Sequence, residues 1–346
     1  MKIEGILFVG YFLSDFGFGR CVCEDLSSRF EERGYRAITT SSKKNRLSRI
    51  LDMAITIISK RKEYQVAYVE VYNGLAFLWS EIVCALLLIL RKPYIITLHG
   101  ARMLPFSQSH PKRVNRMLQN ASLVTTPSKL FTEKLAYLRP DIIYLPNAID
   151  ITDFTFLLRP TPLPHMAWLR RFEYNYNPLL AVRVVDRLLD EFPGVKLCMG
   201  GGDFHDGSSS QVKEYIQAKK INENVKLAGY VSRTLISEWF NQSDIYLNTT
   251  NVESFGIAVM EAAAAGLCVV TTNAGELPYI WQNEFDALVV PQDNPEEMAT
   301  AVRRILKEPG LAARLSMNAR RKAEQYDWSA ILPRWEELFN KAMEHG

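Results

Sequence analysis

Residues Asp244–Val270 read DIYLNTTNVESFGIAVMEAAAAGLCVV, and the rest of the chain is organised around them. Ile245, Tyr246 and Leu247 are apolar and β-prone, Asn248 to Asn251 form a polar break, and Phe255 to Ala265 favour a helix. Ser254 stands where it can cap that helix and Gly266 where it can stop it. Cys268, Val269 and Val270 then resume a buried strand. Strand, helix and strand make a βαβ crossover, which is right-handed in almost every parallel sheet. Two carboxylates punctuate the unit: Glu253 in the loop before the helix, and Glu261 two turns inside it. Ligands of open α/β sheets bind beyond the carboxyl ends of the strands, beside helix N-termini that attract anions. An anionic ligand here is met by backbone N–H groups, which leaves the carboxylates for hydroxyls. Phosphate together with hydroxyls describes a sugar nucleotide.

The spacing of Glu253 and Glu261 has Ser254-Phe255-Gly256, Ala265-Gly266 and Gly275-Glu276 in register with it. The run continues as TTNAGELPYI and DALVVPQDNPEEMATAV. This pattern resembles the signature of the retaining family-4 glycosyltransferases, the glycosyl transferases group 1. The resemblance is strongest over 166–306 and thinner over 1–125. It implies an α/β chain of the GT-B fold, with two Rossmann-like domains facing each other across a donor-binding cleft. The function it implies is transfer of a hexose from a nucleotide-diphosphate sugar to an acceptor hydroxyl, with retention, in polysaccharide or glycolipid assembly. Beyond the donor no cofactor is expected. The acceptor class is a sugar or a lipid-linked sugar.

The same resemblance distributes roles. Glu253 holds hydroxyls of the transferred sugar, and Glu261 holds the ribose. Amides of Ser254, Phe255, Gly256 and Ile257 at the helix N-terminus meet the diphosphate, with a guanidinium beside them. In AWLRRFEYNYNP the family's arginine falls on Arg171, because alternation along an expected strand over Met166–Phe172 puts Ala167, Leu169 and Arg171 on one face. Tyr176 stands where the family carries a lysine, and its hydroxyl can donate to a phosphate oxygen. His99, in TLHG at a strand's carboxyl end, matches the family histidine that reaches the donor sugar. Gly17-Phe18-Gly19, after a strand over Ile6–Gly10, opens a helix to about Arg33. A glycine pair at a helix start suits a phosphate, and the family's loop packs on the donor diphosphate. Pro146-Asn147-Ala148 resembles the landmark that ends the first domain, although a glycine is commoner where Ala148 stands.

Length and composition agree with two soluble domains: 346 residues, 48% hydrophobic and 23% charged. The expected division is 1–150 and 151–329, with a last helix over about 330–346 returning to the first domain. Residues 1–150 carry 21 Lys and Arg against 13 Asp and Glu; the remainder carries 20 against 25. The basic first half suits an anionic surface, so peripheral contact with an anionic membrane is expected and nucleic acid is not. The helix over Asn45–Lys62 is basic, and Leu47, Ile50, Leu51, Ala54, Ile57 and Ile58 are expected to face the sheet. Cys21, Cys23, Cys84, Cys198 and Cys268 show no CxxC pairing and read as reduced thiols. The N-terminus lacks a secretory pattern, and the longest apolar run, Ile82–Leu90, is too short to span a bilayer. The expectation is a cytoplasmic protein, peripheral at the inner face of the membrane. Asp203, His205 and Asp206 read as a solvated loop, so no metal site is expected. Three readings stay open beside transfer: an epimerase, a phosphorylase, and a nucleotide-sugar-binding pseudoenzyme.

Overall fold

The computed structural model describes residues 3–14, 21–100 and 102–344. Two compact units divide the chain: Met1–Asn147 with Ser329–Gly346, and Ala148–Trp328. In the first, β1 (Gly5–Val9), α1 (Val22–Glu32), β2 (Arg36–Thr40), α2 (Arg46–Ser59), β3 (Val66–Val71) and α3 (Leu75–Ile89) alternate. They are followed by β4 (Tyr94–Leu98), α4 (Met103–Ser109), α5 (Pro111–Asn120), β5 (Leu123–Thr126), α6 (Lys129–Leu135) and β6 (Ile143–Tyr144). The six strands form a parallel sheet in the order β2-β1-β3-β4-β5-β6. Strands β1, β3 and β4 are buried along their whole length. Covered on both faces by helices, they read as near-continuous apolar runs, interrupted by Glu70 in β3 and Thr97 in β4, rather than as alternation.

The second unit runs β7 (His165–Leu169), α7 (Pro178–Leu188), β8 (Lys196–Gly200), α8 (Ser208–Lys219), β9 (Val225–Gly229) and α9 (Ile236–Phe240). It continues with β10 (Ile245–Asn248), α10 (Ile257–Ala264), β11 (Cys268–Thr272), α11 (Leu277–Ile280), β12 (Leu288–Val290), α12 (Pro295–Lys307) and α13 (Leu311–Glu324). Its sheet is also parallel, ordered β12-β11-β10-β7-β8-β9. Ala262 to Ala265 are fully buried, which lets α10 lie close on the sheet. The chain then returns to the first unit as α14 (Trp328–Glu344). There Phe339 lies 6.0 Å from the Phe8 ring on β1 and 5.1 Å from Phe30 on α1. Trp335 meets Tyr68 of β3 edge-on at 5.2 Å. These rings bind the last helix to the face of the first sheet that α1 covers, as offset and T-shaped aromatic pairs do.

Three local expectations change. The apolar pattern carries β7 to Phe172, but the strand ends at Leu169. Arg170 N–H still donates to Gly200 O at 3.1 Å. Beyond it Gly201 takes φ +136, and a Cβ there would lie 1.7 Å from Arg170 O, so the two segments approach where only glycine fits. Pairing returns at Phe172, whose N–H donates to Gly202 O at 2.8 Å. Helix α10 starts at Ile257 with Gly256 (φ 92) as N-cap, so Ser254 is not its cap. On α2, Met53 and Ile57 are buried, but Leu47, Leu51 and Ile58 are 74, 62 and 45% exposed. The apolar stripe of α2 is wider than one sheet-facing edge can hide.

Candidate functional site

In the second unit the sheet order reverses between β7 and β10. Their sequence neighbours leave in opposite directions and open a crevice beyond their carboxyl ends, where open α/β sheets bind ligands. Just past β7 stands Arg170, and in the loop after β10 stands Glu253. The Arg170 guanidinium Nη2 donates to Glu253 Oε2 at 2.5 Å, with the two side chains 13% and 9% exposed. The guanidinium also lies 5.2 Å over the Tyr176 ring, within cation–π range. Its Nε is buried and has no hydrogen-bond partner. Burial pulls the Arg170 pKa down, but Glu253, backed by Tyr246, Tyr176 and Glu261, outweighs it, so the group stays charged. Burial pushes the Tyr176 hydroxyl up while Arg170 pulls it back.

Glu253 is fixed on its other side as well. Its Oε1 accepts from the amides of Ser254 at 3.1 Å and Phe255 at 3.4 Å, and its backbone oxygen accepts from Glu276 N–H at 3.1 Å. Gly275 makes that approach feasible: a Cβ there would sit 2.1 Å from Glu253 O. The loop 248–251 is tied to the Tyr176 turn, since Thr249 Oγ1 donates to Tyr176 O at 2.7 Å and Asn251 N–H to Asn175 O at 2.7 Å. Trp168 Nε1 donates to the same threonine hydroxyl at 2.8 Å. Behind these, Phe255 is buried, as is Glu261 at 7% exposure. The amides of Ser254 and Phe255, expected to meet a diphosphate, are instead taken by the Glu253 carboxylate. No side chain caps α10, whose N-cap is Gly256 and first residue Ile257, and this leaves the helix's own first amides for an external acceptor.

The arrangement therefore brings together Tyr176, Glu253, Ser254, Phe255, Gly256, Ile257 and Glu261 within one unit, but the arginine among them is Arg170. Arg171 is excluded from the cluster. Its side chain is 52% exposed, pairs with Glu173 at 2.7 Å and lies 4.5 Å over the Phe204 ring. Alternation fails as a guide because the strand ends before either arginine. The doubled arginine beside a tyrosine in the lysine's place was the available signal. Asp206, in the loop read as solvated, accepts from the amides of Tyr174 and Ser208, and His205 is 87% exposed.

His99 belongs to the first unit, just past β4, and is 6% exposed. Its ring stacks on Tyr72 at 5.4 Å, and Nε2 lies 3.5 Å from Tyr68 Oη and 4.0 Å from Glu70 Oε1. Sequence reasoning missed Glu70, fully buried in β3, although a lone carboxylate inside VAYVEV was its signal. It accepts from the Cys23 amide at 2.8 Å and from Tyr72 Oη at 3.2 Å. Glu24 accepts from the Cys21 and Ser14 amides, both at 3.1 Å. Two carboxylates thus already answer the start of α1, the helix expected to face a diphosphate. Gly17 and Gly19 lie outside the described residues.

Burial pushes the Glu70 pKa up to about 7 from 4.5, against the pull of Cys23 N–H and Tyr72. Burial pushes His99 down to about 4 from 6.5. A carboxyl raised on folding contributes stability that is present below its unfolded pKa and lost as pH rises through the folded one. A histidine lowered on folding contributes stability that is present above its unfolded pKa and lost as pH falls through the folded one. Between 4.5 and 6.5 the two slopes oppose each other. Glu70→Gln should leave stability rising with pH in that window, by at most about 1.4 kcal/mol per pH unit, and His99→Gln should leave it falling. Hydrogen exchange of the β3 and β4 amides at several pH values within that window reads this, and identical slopes in both variants and the parent would refute it.

With the geometry in hand, the two parallel-sheet units are those of the GT-B fold. Sucrose-phosphate synthase of Thermosynechococcus elongatus superimposes with a TM-score of 0.79 at 14% identity, over 99% of this chain and 100% of that one. The Anabaena protein HepE, solved with UDP and glucose, does so at 0.78 and 17%, over 97% and 99%. Residues 152–322, most of the second unit, match the family described as glycosyl transferases group 1. A phosphatidylinositol N-acetylglucosaminyltransferase component of Arabidopsis thaliana is 25% identical over 238 residues, covering 68% of this chain and 48% of that protein. D-inositol 3-phosphate glycosyltransferase of Streptomyces bingchenggensis is 25% identical, over 52% and 42%. Both matches span less than half of the relative's length.

Proposed function

We propose that the chain transfers a hexose from a nucleotide-diphosphate sugar to an acceptor hydroxyl with retention of configuration, in polysaccharide or glycolipid assembly. The observation that carries this reading is the Arg170–Glu253 pair at the uncapped start of α10. One half of it suits a diphosphate and the other a sugar hydroxyl. The family supports the reading, as do the glycosyltransferases among the relatives and the UDP bound in HepE.

As the bond from the anomeric carbon to the phosphate oxygen breaks, negative charge gathers on the leaving diphosphate. Arg170, with its unpaired Nε, and the first amides of α10 stabilise that charge without rearrangement. Glu253, its carboxylate oriented by two amides and a guanidinium, accepts hydrogen bonds from hydroxyls of the transferred sugar. Glu261 takes the ribose. The acceptor oxygen bonds to the anomeric carbon, and its proton passes to the departing phosphate oxygen. Tyr176 donates one further hydrogen bond. No cofactor beyond the donor is needed in this scheme, and the diphosphate charge is met by guanidinium and amides. Activity is therefore expected to survive excess chelator; a loss restored by Mg²⁺ or Mn²⁺ would overturn this part.

The test is product formation over a panel of nucleotide sugars and of soluble and lipid-linked sugar acceptors. A transferred hexose with inverted configuration would refute retention. Tyr176 in place of the family's lysine favours the second reading, a binding protein without turnover. Donor binding with no transfer to any acceptor would identify it.

A further inference from the structure

Eight of the eighteen exposed large hydrophobic side chains among the described residues lie on two adjoining helices, α2 and α3. On α2, Leu47, Leu51, Ile55 and Ile58 recur at helical spacing, opposite the buried Met53 and Ile57. The stripe runs for about 16 Å. On α3, Leu75, Leu78 and Ile89 stand out from the side opposite Phe77, Val83 and Leu87, which enter the core, and Leu88 is exposed at the helix's last turn. Exposed apolar surface gathered in this way on a folded domain marks a docking face.

Charge frames the face. Lys43, Lys44 and Arg46 stand exposed where α2 begins, and Arg61 and Lys62 where it ends. Arg91 follows α3, and Lys112 and Arg116 are exposed on α5 beside it. The carboxylate of α3, Glu81, is bound by Arg113 at 2.5 Å and lies 3.7 Å from Arg116. Glu63, beyond α2, is held by Arg36 and Lys60. An apolar stripe with a basic rim is the pattern of helices lying in the interface of an anionic bilayer. A second copy is the poorer occupant, because two such faces would bring basic rim against basic rim. Among the described residues no helix is long and apolar enough to cross a membrane, and α3, at 15 residues, falls short of a span.

We propose that the α2–α3 face docks on an anionic lipid bilayer, with Leu47, Leu51, Ile55 and Ile58 entering the interface and the lysines and arginines around them meeting lipid phosphates. The proposal is independent of the transferase reading, and its test uses neither donor nor acceptor.

The full chain is floated with vesicles of phosphatidylcholine alone and of phosphatidylcholine with phosphatidylglycerol. Binding is expected only to the second, weakening with salt. The double variant Leu51→Ser/Ile55→Ser changes exposed residues and should keep its circular dichroism while binding at least about tenfold more weakly. Lys44→Glu/Arg46→Glu should weaken binding and flatten its salt dependence. Leu47→Trp should show a blue-shifted emission when anionic vesicles are added. Absence of flotation at low salt would overturn the proposal, as would binding indifferent to Leu51→Ser/Ile55→Ser. A dimer in sedimentation that this double variant dissociates would assign the face to a second copy and also overturn it.

Discussion

Arg170→Ala is expected to lower kcat by a factor on the order of 10² or more, and Arg171→Ala by about threefold or less. The contrast follows from surroundings. Arg170 is nearly buried, bonds Glu253 at 2.5 Å, lies over Tyr176 and keeps an unpaired Nε. Its removal takes away the guanidinium nearest the start of α10 and leaves the Glu253 carboxylate with two amides. Breaking a buried pair costs about 3–5 kcal/mol, so part of the effect will appear as lower stability. Arg170→Lys separates the terms: it keeps a charge but loses the planar fork. It should recover stability further than it recovers turnover. Arg171, half exposed and held by Glu173 and Phe204, gives up only a surface pair worth about 0–1 kcal/mol. Kinetics of the three variants at saturating donor decide the matter. An inactive Arg171→Ala beside an active Arg170→Ala would restore the assignment made from strand alternation.

Glu253→Gln carries the second large effect, a fall in turnover on the order of 10². The carboxylate is clamped by two amides on Oε1 and by Arg170 on Oε2. An amide in its place offers one acceptor where two are used and turns an NH₂ toward a donor. The sugar hydroxyls then lose a charged, oriented acceptor at the step where the anomeric carbon gains positive character. Glu261→Gln, one turn into α10 from its start and assigned to the ribose, should mainly raise the donor KM. Initial rates over donor concentration separate the two. Effects on KM alone in both variants would show that Glu253 does not act on the transferred sugar.

What the sequence made legible is what burial dictates. Strands such as ILFV, VAYVEV and YIITL, covered on both faces, announce themselves as apolar runs, and β/α alternation with them. The segment 244–270 declared its crossover because its alanines and Gly266 have one structural reading. The limits lay where tertiary contact overrides local pattern. Arg170 and Arg171 differ by one residue, and what chooses between them is the end of β7 at a close approach that only Gly201 permits. Ser254 has the chemistry of a cap, yet its amide serves Glu253 and the helix begins later. On α2 helical spacing gave the amphipathic residues, but which of them meet the sheet depends on α3 beside it. The role of Glu70 was hidden because, apart from the neighbouring Tyr72, its partners Cys23 and His99 come from separate segments.

Calorimetric titration of the chain with uridine, guanosine and adenosine diphosphates, beside Arg170→Ala and Arg171→Ala, bears most directly on the site at the start of α10. One saturable site for at least one diphosphate, lost in Arg170→Ala and kept in Arg171→Ala, is the predicted result. Failure of all three diphosphates to bind, or binding that Arg170→Ala leaves unchanged, would contradict it.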